Sequence, residues 1–164
     1  MQTGLVSDVR YLEHTQGGTH PESPAQLMAI HARLEKVGLD KKLMPISPKA
    51  NPLPYIKMVH SEKHIRTAAK QAHDDKICQL SVSGALSAVD AVCENKVKNA
   101  FCAIRPPGHH AANNGEFGFC FYNNIAVAAR YAQKKHGLKK ILIVDWDYHH
   151  GDGTEWAFYD DPTS

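Results

Sequence analysis

The residues with the clearest chemical potential lie in DWDYHHGDG, positions 145–153, directly after the apolar run ILIV at 141–144. Asp147 and His149 are two positions apart, so on an extended backbone their side chains point to the same side. A carboxylate and an imidazole together suit a borderline divalent metal such as zinc. A catalytic zinc normally has three protein ligands, so a third must come from elsewhere. Asp145 has the same parity and is a candidate ligand or a partner of one.

A second group of reactive residues occurs in RPPGHHA, positions 105–111, after another short apolar run. A histidine held by a carboxylate can act as general base toward a metal-activated water, or as general acid toward a leaving group. His109 and His110 are such candidates, and Asp145 and Asp152 supply carboxylates for them. Two His–Asp pairs beside one metal predict a hydrolase. A nucleotide or phosphate site is disfavoured, because the sequence contains no glycine-rich phosphate loop of either common kind.

Alternating strands and helices must position these two groups. Strands are predicted at 3–9, 99–104 and 139–147, the last being the clearest, and helices from Ser23–Pro24, Ser61, Val82, Asn123 and the segment GTEWAF with Thr154 as its cap. The segment 47–56 has three prolines and predicts a connector that is not regular helix. Apolar strands alternating with helices indicate a parallel sheet covered on both faces, with ligands beyond the carboxyl ends of its strands. If the strands before the two reactive groups are neighbours, those groups face each other.

The composition indicates one soluble globular domain. The chain has 164 residues, a net charge of +2, 43% hydrophobic and 22% charged residues. So small a charge gives no electrostatic reason to expect a nucleic-acid or membrane partner. The four cysteines form no CxxC pair and are interpreted as small buried hydrophobes of a reducing compartment. There is no signal-peptide pattern and no apolar run long enough to span a bilayer, so a cytoplasmic location is expected.

Five segments in order resemble the zinc-dependent histone deacetylase family, most closely its class II and bacterial acetylpolyamine amidohydrolase-like branch. They are HPESP (20–24), VHSEKH (59–64), RPPGHHA (105–111), GFCFYNNIAVAA (118–129) and DWDYHHGDGTEWAFYDDP (145–162). The resemblance covers nearly the whole chain. It implies an arginase/deacetylase-like, three-layer α/β fold with a central parallel sheet. It also implies hydrolysis of an acetyl-amide, with acetylated lysine or an acetylated polyamine as the substrate.

The resemblance also implies the roles of individual residues. Asp147 and His149 would bind one Zn²⁺. Asp145 would also help to hold a monovalent cation, usually K⁺, together with Asp147 and His149. The tandem catalytic histidines and their carboxylates would be His109 with Asp145 and His110 with Asp152. His110 is the expected general base, and His109 would give electrostatic support or a proton.

Further residues correspond to the substrate tunnel and its surroundings. In the family the carbonyl matching Gly118 accepts from the substrate amide, and the ring matching Phe119 walls the acyl-lysine stem. Core packing is the alternative interpretation of Phe119. Asp75 is matched to the aspartate that grips the substrate backbone at the rim, although Asp74 is as near in sequence. Gln26 replaces a family arginine that lies in the interior behind the site, and for Arg105 structural and functional roles are equally open.

Family members take a second zinc-ligand aspartate and a carbonyl-polarising tyrosine or histidine from positions beyond residue 164. We therefore expect residues 1–164 to be the N-terminal part of a single truncated domain, inactive on its own. An unpaired sheet edge is expected to cause poor solubility or a homo-oligomer. The alternative is a non-catalytic remnant or interaction module with the same fold. A binuclear manganese ureohydrolase is disfavoured because its aspartate-rich signatures differ from DWDYHHGDG.

Overall fold

The structure is a computed structural model that describes residues 2–15 and 20–161, apart from the side chains of residues 72 and 73. Its sheet has three parallel strands in the order β2-β1-β3. The strands are Thr3–Val6 (β1), Met44–Ile46 (β2) and Asn99–Cys102 (β3). The predicted parallel sheet and two of its predicted strands are therefore confirmed. β2 was not predicted, because a three-residue strand with a central proline has the composition of a loop.

Six α-helices of the described residues connect and cover these strands. They are Pro24–Lys36 (α1), Leu53–Ile56 (α2), Glu62–Ala68 (α3), Ala72–Cys93 (α4), Asn124–His136 (α5) and Asp152–Phe158 (α6). The start signals explain two of them, because Ser61 Oγ accepts from the backbone N–H of His64, and Asn123 Oδ1 accepts from that of Ala126. α5 ends at Gly137, whose φ of 69° is typical of a left-handed cap.

Three helix predictions differ from the structure. α2 is a single turn inside the proline-rich connector, where prolines at its start remove only N–H groups that have no helical partner. α4 begins about ten residues before the predicted start at Val82 and runs for 22 residues. Thr154 lies inside α6 and is not its cap, because the helix begins after Gly151.

The long helix α4 forms the centre of the core. It packs against β1, β3 and α5. Val6 on β1 and Leu86 on α4 are fully buried. The opposite face of the sheet is less covered, since Phe101, the register partner of Leu5, is 45% exposed. The expectation that helices cover both faces is therefore met fully on the α4 side only.

The predicted strand at 139–147 is not formed. Residues 137–147 carry no regular secondary structure, and Leu142 and Val144 are 86% and 67% exposed. A strand is held by hydrogen bonds to a neighbour, and no strand among the described residues pairs with this segment or with the outer edge of β3. The strand prediction for 141–144 is therefore wrong for this structure, because its apolar composition suits a strand but no described strand pairs with it.

All four cysteines are free, and only Cys78 and Cys120 are fully buried. Within the described ranges, no helix has the length and apolarity that crossing a membrane requires.

Candidate active site

The two reactive segments meet in the structure as two adjacent His–Asp pairs. His109 Nδ1 lies 2.9 Å from Asp145 Oδ2, and His110 Nδ1 lies 2.7 Å from Asp152 Oδ1. The two imidazole rings are 4.1 Å apart between centroids. The segments thus face each other even though the second does not leave a strand of the sheet. In each pair an Nδ1–H that donates to the carboxylate leaves Nε2 free for proton transfer.

The carboxylates of both pairs are held in the charged form. The hydrogen bond from His110 lowers the pKa of Asp152 below its ordinary value. Partial burial alone would raise the pKa of Asp145, but hydrogen bonds from His109 and from the backbone N–H of Asp147 lower it overall. Both aspartates are therefore negative near neutral pH, where they stabilise positive charge on the adjoining imidazoles.

Asp147 and His149 lie beside these pairs and contact each other. Asp147 Oδ1 accepts from the backbone N–H of His149 at 2.8 Å, and the His149 Nδ1 atom lies 3.1 Å from the same oxygen. Their side chains are 50% and 69% exposed. The His149 and His110 ring centroids are 6.0 Å apart, so the predicted metal-binding residues adjoin the tandem histidines. The backbone hydrogen bond lowers the pKa of Asp147, which favours an ionised ligand.

The donor types fit a zinc ion, but their number does not complete a site. Among the described residues no group of three or more His, Cys, Asp or Glu side chains is placed to hold a metal. Asp145 was a candidate third ligand or a supporting partner. Its Oδ2 contacts His109 and its Oδ1 accepts from the N–H of Asp147 at 3.1 Å. Both oxygens are engaged, which favours the supporting role.

Gly118 and Phe119 form one wall beside His110. Both have positive φ values, 52° and 70°. A Cβ on Gly118 would overlap the His110 ring, so only glycine allows this approach. The Phe119 ring is 44% exposed and stands edge-on to His20, with ring centroids 4.2 Å apart. Such exposure differs from the core packing that was the alternative interpretation of Phe119.

The structure places Asp75 and Gln26 differently from the family-based expectations. Asp75 is 7% exposed, and its two oxygens accept from Tyr122 at 2.6 Å and from Gln79 at 2.8 Å. A carboxylate so enclosed does not present an oxygen to a peptide at a rim. Asp74 instead lies 3.1 Å from buried His14. Gln26 is exposed on α1, not in an interior behind the site.

Several residues that support the site were not predicted. Glu22 forms a buried ion pair with Arg105, which supports a structural role for Arg105 at the base of the tandem-histidine loop. His60, 2% exposed, bridges the backbone at Ala112 and Asn123. The available signal was that these polar residues fall inside the five recognised segments, but single-sequence spacing does not reveal their partners.

Residues 20–164 match the model of the histone deacetylase domain. A histone deacetylase HDA1 from Candida albicans is 36% identical over 205 aligned residues, which cover 99% of this chain and 25% of that protein. A probable deacetylase from Archaeoglobus fulgidus is 34% identical over 177 aligned residues, covering 98% of this chain and 49% of that protein.

A solved structure, the HD domain of HDA15, superposes with a TM-score of 0.92 at 32% identity, over 99% of this chain and 52% of that one. This similarity confirms the predicted deacetylase-like α/β fold. The chain matches the N-terminal part of family members and spans half or less of the length of the curated relatives named above. The match to the family model over most of the sequence, with two relatives above 30% identity, shows that the chain belongs to the histone deacetylase family.

Proposed function

We propose that this chain supplies the tandem-histidine half of a zinc-dependent deacetylase site that hydrolyses acetyl-amides. The observation that carries the proposal is the adjacency of two His–Asp pairs beside Asp147 and His149. Paired imidazoles with free Nε2 atoms suit a reaction that takes one proton from water and gives one to an amine. We propose that residues 1–164 form the N-terminal part of one deacetylase domain.

In the proposed reaction, His110 accepts a proton at Nε2 from the water that attacks the acetyl carbonyl. Asp152 stabilises the resulting imidazolium, because its carboxylate is 2.7 Å from Nδ1 and its pKa is lowered. The new C–O bond forms as this proton leaves. His109, supported by Asp145 in the same way, gives electrostatic support or a proton to the departing nitrogen as the C–N bond breaks. The products are acetate and the free amine.

Asp147 and His149 would hold the zinc ion, with a third ligand from outside the described residues. When bound, zinc supplies Lewis acidity toward the carbonyl and lowers the pKa of a coordinated water. Asp145 and Asp147, with the backbone of His149, are the proposed site of a structural K⁺. Two zinc donors that are half-exposed and already share a contact predict weak metal binding by this chain alone.

The wall beside His110 supports the proposed substrate class. The Phe119 ring offers an apolar face to the methylene stem of acetyl-lysine or of an acetylated polyamine. The Gly118 carbonyl, which here accepts a weak bond from the Cys120 thiol at 3.3 Å, is the proposed acceptor for the substrate amide. Asp75 is not included among the substrate contacts, because it is enclosed.

The proposal is tested with a hybrid in which this chain replaces the aligned half of the Archaeoglobus fulgidus relative. Turnover of an acetyl-lysine peptide that a chelator abolishes is expected. The isolated 164-residue chain is expected to be inactive even with added zinc. In the hybrid, His110→Ala should reduce kcat by about 10²- to 10⁴-fold, the usual contribution of a general base.

His150→Ala is the matched control, because His150 is 72% exposed and pairs with Glu155, outside the two His–Asp pairs. A folded hybrid without turnover, or one equally impaired by both substitutions, would contradict the proposal. It would instead favour a non-catalytic interaction module. The exposed apolar residues Leu142 and Trp146 are the observation that supports this alternative.

A further inference from the structure

A buried hydrogen-bond network centred on Asn123 lies behind the tandem histidines. Asn123 has no exposed surface, and its backbone N–H donates to His60 Nε2 at 2.9 Å. Its Oδ1 caps α5 by accepting from the N–H of Ala126 at 3.0 Å. Its Nδ2 is directed elsewhere and donates to Thr154 Oγ1 at 3.1 Å and to the Ala111 carbonyl at 3.4 Å. One side chain therefore joins three separate segments.

Two of these segments carry the two halves of the His110–Asp152 pair. Ala111 is the residue after His110, and Thr154 lies two residues after Asp152. The backbone N–H of Thr154 also donates to the His109 carbonyl at 3.1 Å. The first turn of α6 also packs closely against the residues after His110, because a Cβ on Gly153 would lie 2.5 Å from the Ala111 carbonyl oxygen. The start of α6 is thus fixed directly against the tandem-histidine loop.

The need for such a link follows from the weakness of α6 itself. The helix has seven residues, and its N-cap residue, Gly151, offers no side chain to the free N–H groups. So short a helix has little stability of its own, and its orientation depends on tertiary contacts. Asp152 sits at its first position, so any shift of α6 moves the carboxylate relative to His110.

We infer that Asn123, acting through Thr154 and the Ala111 carbonyl, is a positioning residue that sets the His110–Asp152 hydrogen bond. Its hydrogen bonds within the described residues go to His60, Ala111, Thr154 and Ala126, not to the rings of His109 or His110, so we do not assign it as a catalytic residue. Its importance for catalysis rests on the proposed function, whereas its effect on the hydrogen bond does not. Buried amide networks of this kind restrict a site to one arrangement, because losing a partner leaves a buried polar group with no hydrogen bond to protein or to water.

Two substitutions separate positioning from packing. Thr154→Val keeps the shape of the side chain and removes the hydroxyl that accepts from Asn123. Asn123→Asp keeps an oxygen to cap α5 but replaces the Nδ2 donor with an acceptor that faces the Ala111 carbonyl. Thr154→Ser retains the hydroxyl and should behave like the unsubstituted chain. Ser83→Ala removes a buried hydroxyl that donates to the Ala50 carbonyl, and it serves as the control for general destabilisation.

The measurement is proton NMR on the 164-residue chain without metal or substrate. The Nδ1–H of His110, assigned by its loss in His110→Gln, should give a downfield resonance that exchanges slowly with water. In Thr154→Val and in Asn123→Asp, exchange should accelerate by about fivefold or more, the factor for one lost hydrogen bond, or the resonance should disappear. Thr154→Ser should retain it, and Ser83→Ala should retain it despite a lower urea midpoint.

An unchanged resonance in the two test variants overturns the inference, because Asn123 would then contribute stability alone. Absence of the resonance from the unsubstituted chain also overturns it, since there would be no held bond to position. Should Asn123→Asp fail to fold, the isosteric Thr154→Val decides. Failure of the proposed function appears separately, as an inactive hybrid in which the His110 resonance still responds to these substitutions.

Discussion

Arg105 and Glu22 form a bidentate ion pair at the base of the tandem-histidine loop. The Arg105 Nε and Nη2 atoms lie 2.6 Å and 2.8 Å from the two Glu22 carboxylate oxygens, and both residues are less than 9% exposed. The remaining Nη1 donates to the carbonyls of Tyr11 and His14. The guanidinium thus joins the segment after β1, the HPESP segment and the loop that continues to His109 and His110.

Breaking this pair should destabilise the protein strongly. Glu22→Gln leaves the buried Arg105 charge without its counter-charge, an imbalance that typically costs about 3–5 kcal/mol. Glu62→Gln is the matched control, because Glu62 pairs with Arg66 at the surface with both side chains about 70% exposed. The control should change the free energy of unfolding by less than about 1 kcal/mol. Urea denaturation measures both, and equal effects would contradict the structural role of Arg105.

His60 should make the protein sensitive to mild acid. Burial lowers the pKa of His60 to about 4. Its neutral ring uses both nitrogens, Nδ1 with the Ala112 carbonyl and Nε2 with the N–H of Asn123. The unfolded chain binds this proton near pH 6.5 but the folded chain does not. Stability is therefore lost as pH falls from about 6.5 toward about 4, by as much as about 3 kcal/mol.

The check is the urea midpoint measured between pH 7.5 and 4.5. His60→Gln should be less stable at neutral pH but lose less stability on acidification. Part of the slope should remain, because burial also lowers the pKa of His14. Asp145 and Asp152 affect the free energy of unfolding only at lower pH. The stability that their lowered pKa values contribute is lost only below the ordinary aspartate range. Parallel pH profiles for both proteins would show that His60 is not the sensitive group.

Gly118→Ala should disturb His110 more than backbone strain alone can explain. The glycine has a φ of 52°, and an added Cβ would overlap the His110 ring. Gly38→Ala is the matched control, because Gly38 has a φ of 65° and no atom within 4 Å of the added Cβ. The control should lose about 1 kcal/mol from strain. Gly118→Ala should lose about 1–3 kcal/mol more in urea denaturation, as overpacking does. Equal losses would show that the ring shifts without cost.

Local sequence signals were sufficient for much of the fold. Ser61 and Asn123 act through hydrogen bonds within a few residues, so the helix starts that they set could be predicted. The spacing of Asp147 and His149 predicted that the two side chains point to the same side, and in the structure they contact each other although the strand is not formed. Such features depend only on the backbone geometry of a few consecutive residues, and a single sequence contains that information.

Features that depend on partners far along the chain could not be predicted from the sequence in the same way. The run at 141–144 has a strand's composition, but a strand needs a neighbour, and none among the described strands pairs with it. Asp75 is the type of residue expected at the rim of a substrate tunnel, yet it is buried in contact with Tyr122, 47 positions away. The roles of Arg105 and Asn123 also arise from partners far along the chain. Spacing alone does not specify such pairings.

The apolar segment around Leu142 should cause the isolated chain to self-associate. Leu142 and Trp146 are 86% and 91% exposed, and an apolar cleft of about 420 Å³ lies between the β3 side of the sheet and residues 141–143. Exposed apolar surface beside an unpaired strand edge favours association between copies.

Leu142→Lys should weaken the association by about tenfold or more, because burying a leucine side chain contributes about 1.5–3 kcal/mol. Val9→Lys is the control, since Val9 is 72% exposed but does not line the cleft. Light scattering across a concentration series measures the dissociation constant of each variant. If the unsubstituted chain stays monomeric at high concentration, or if both substitutions weaken association equally, then Leu142 and the cleft are not the contact surface.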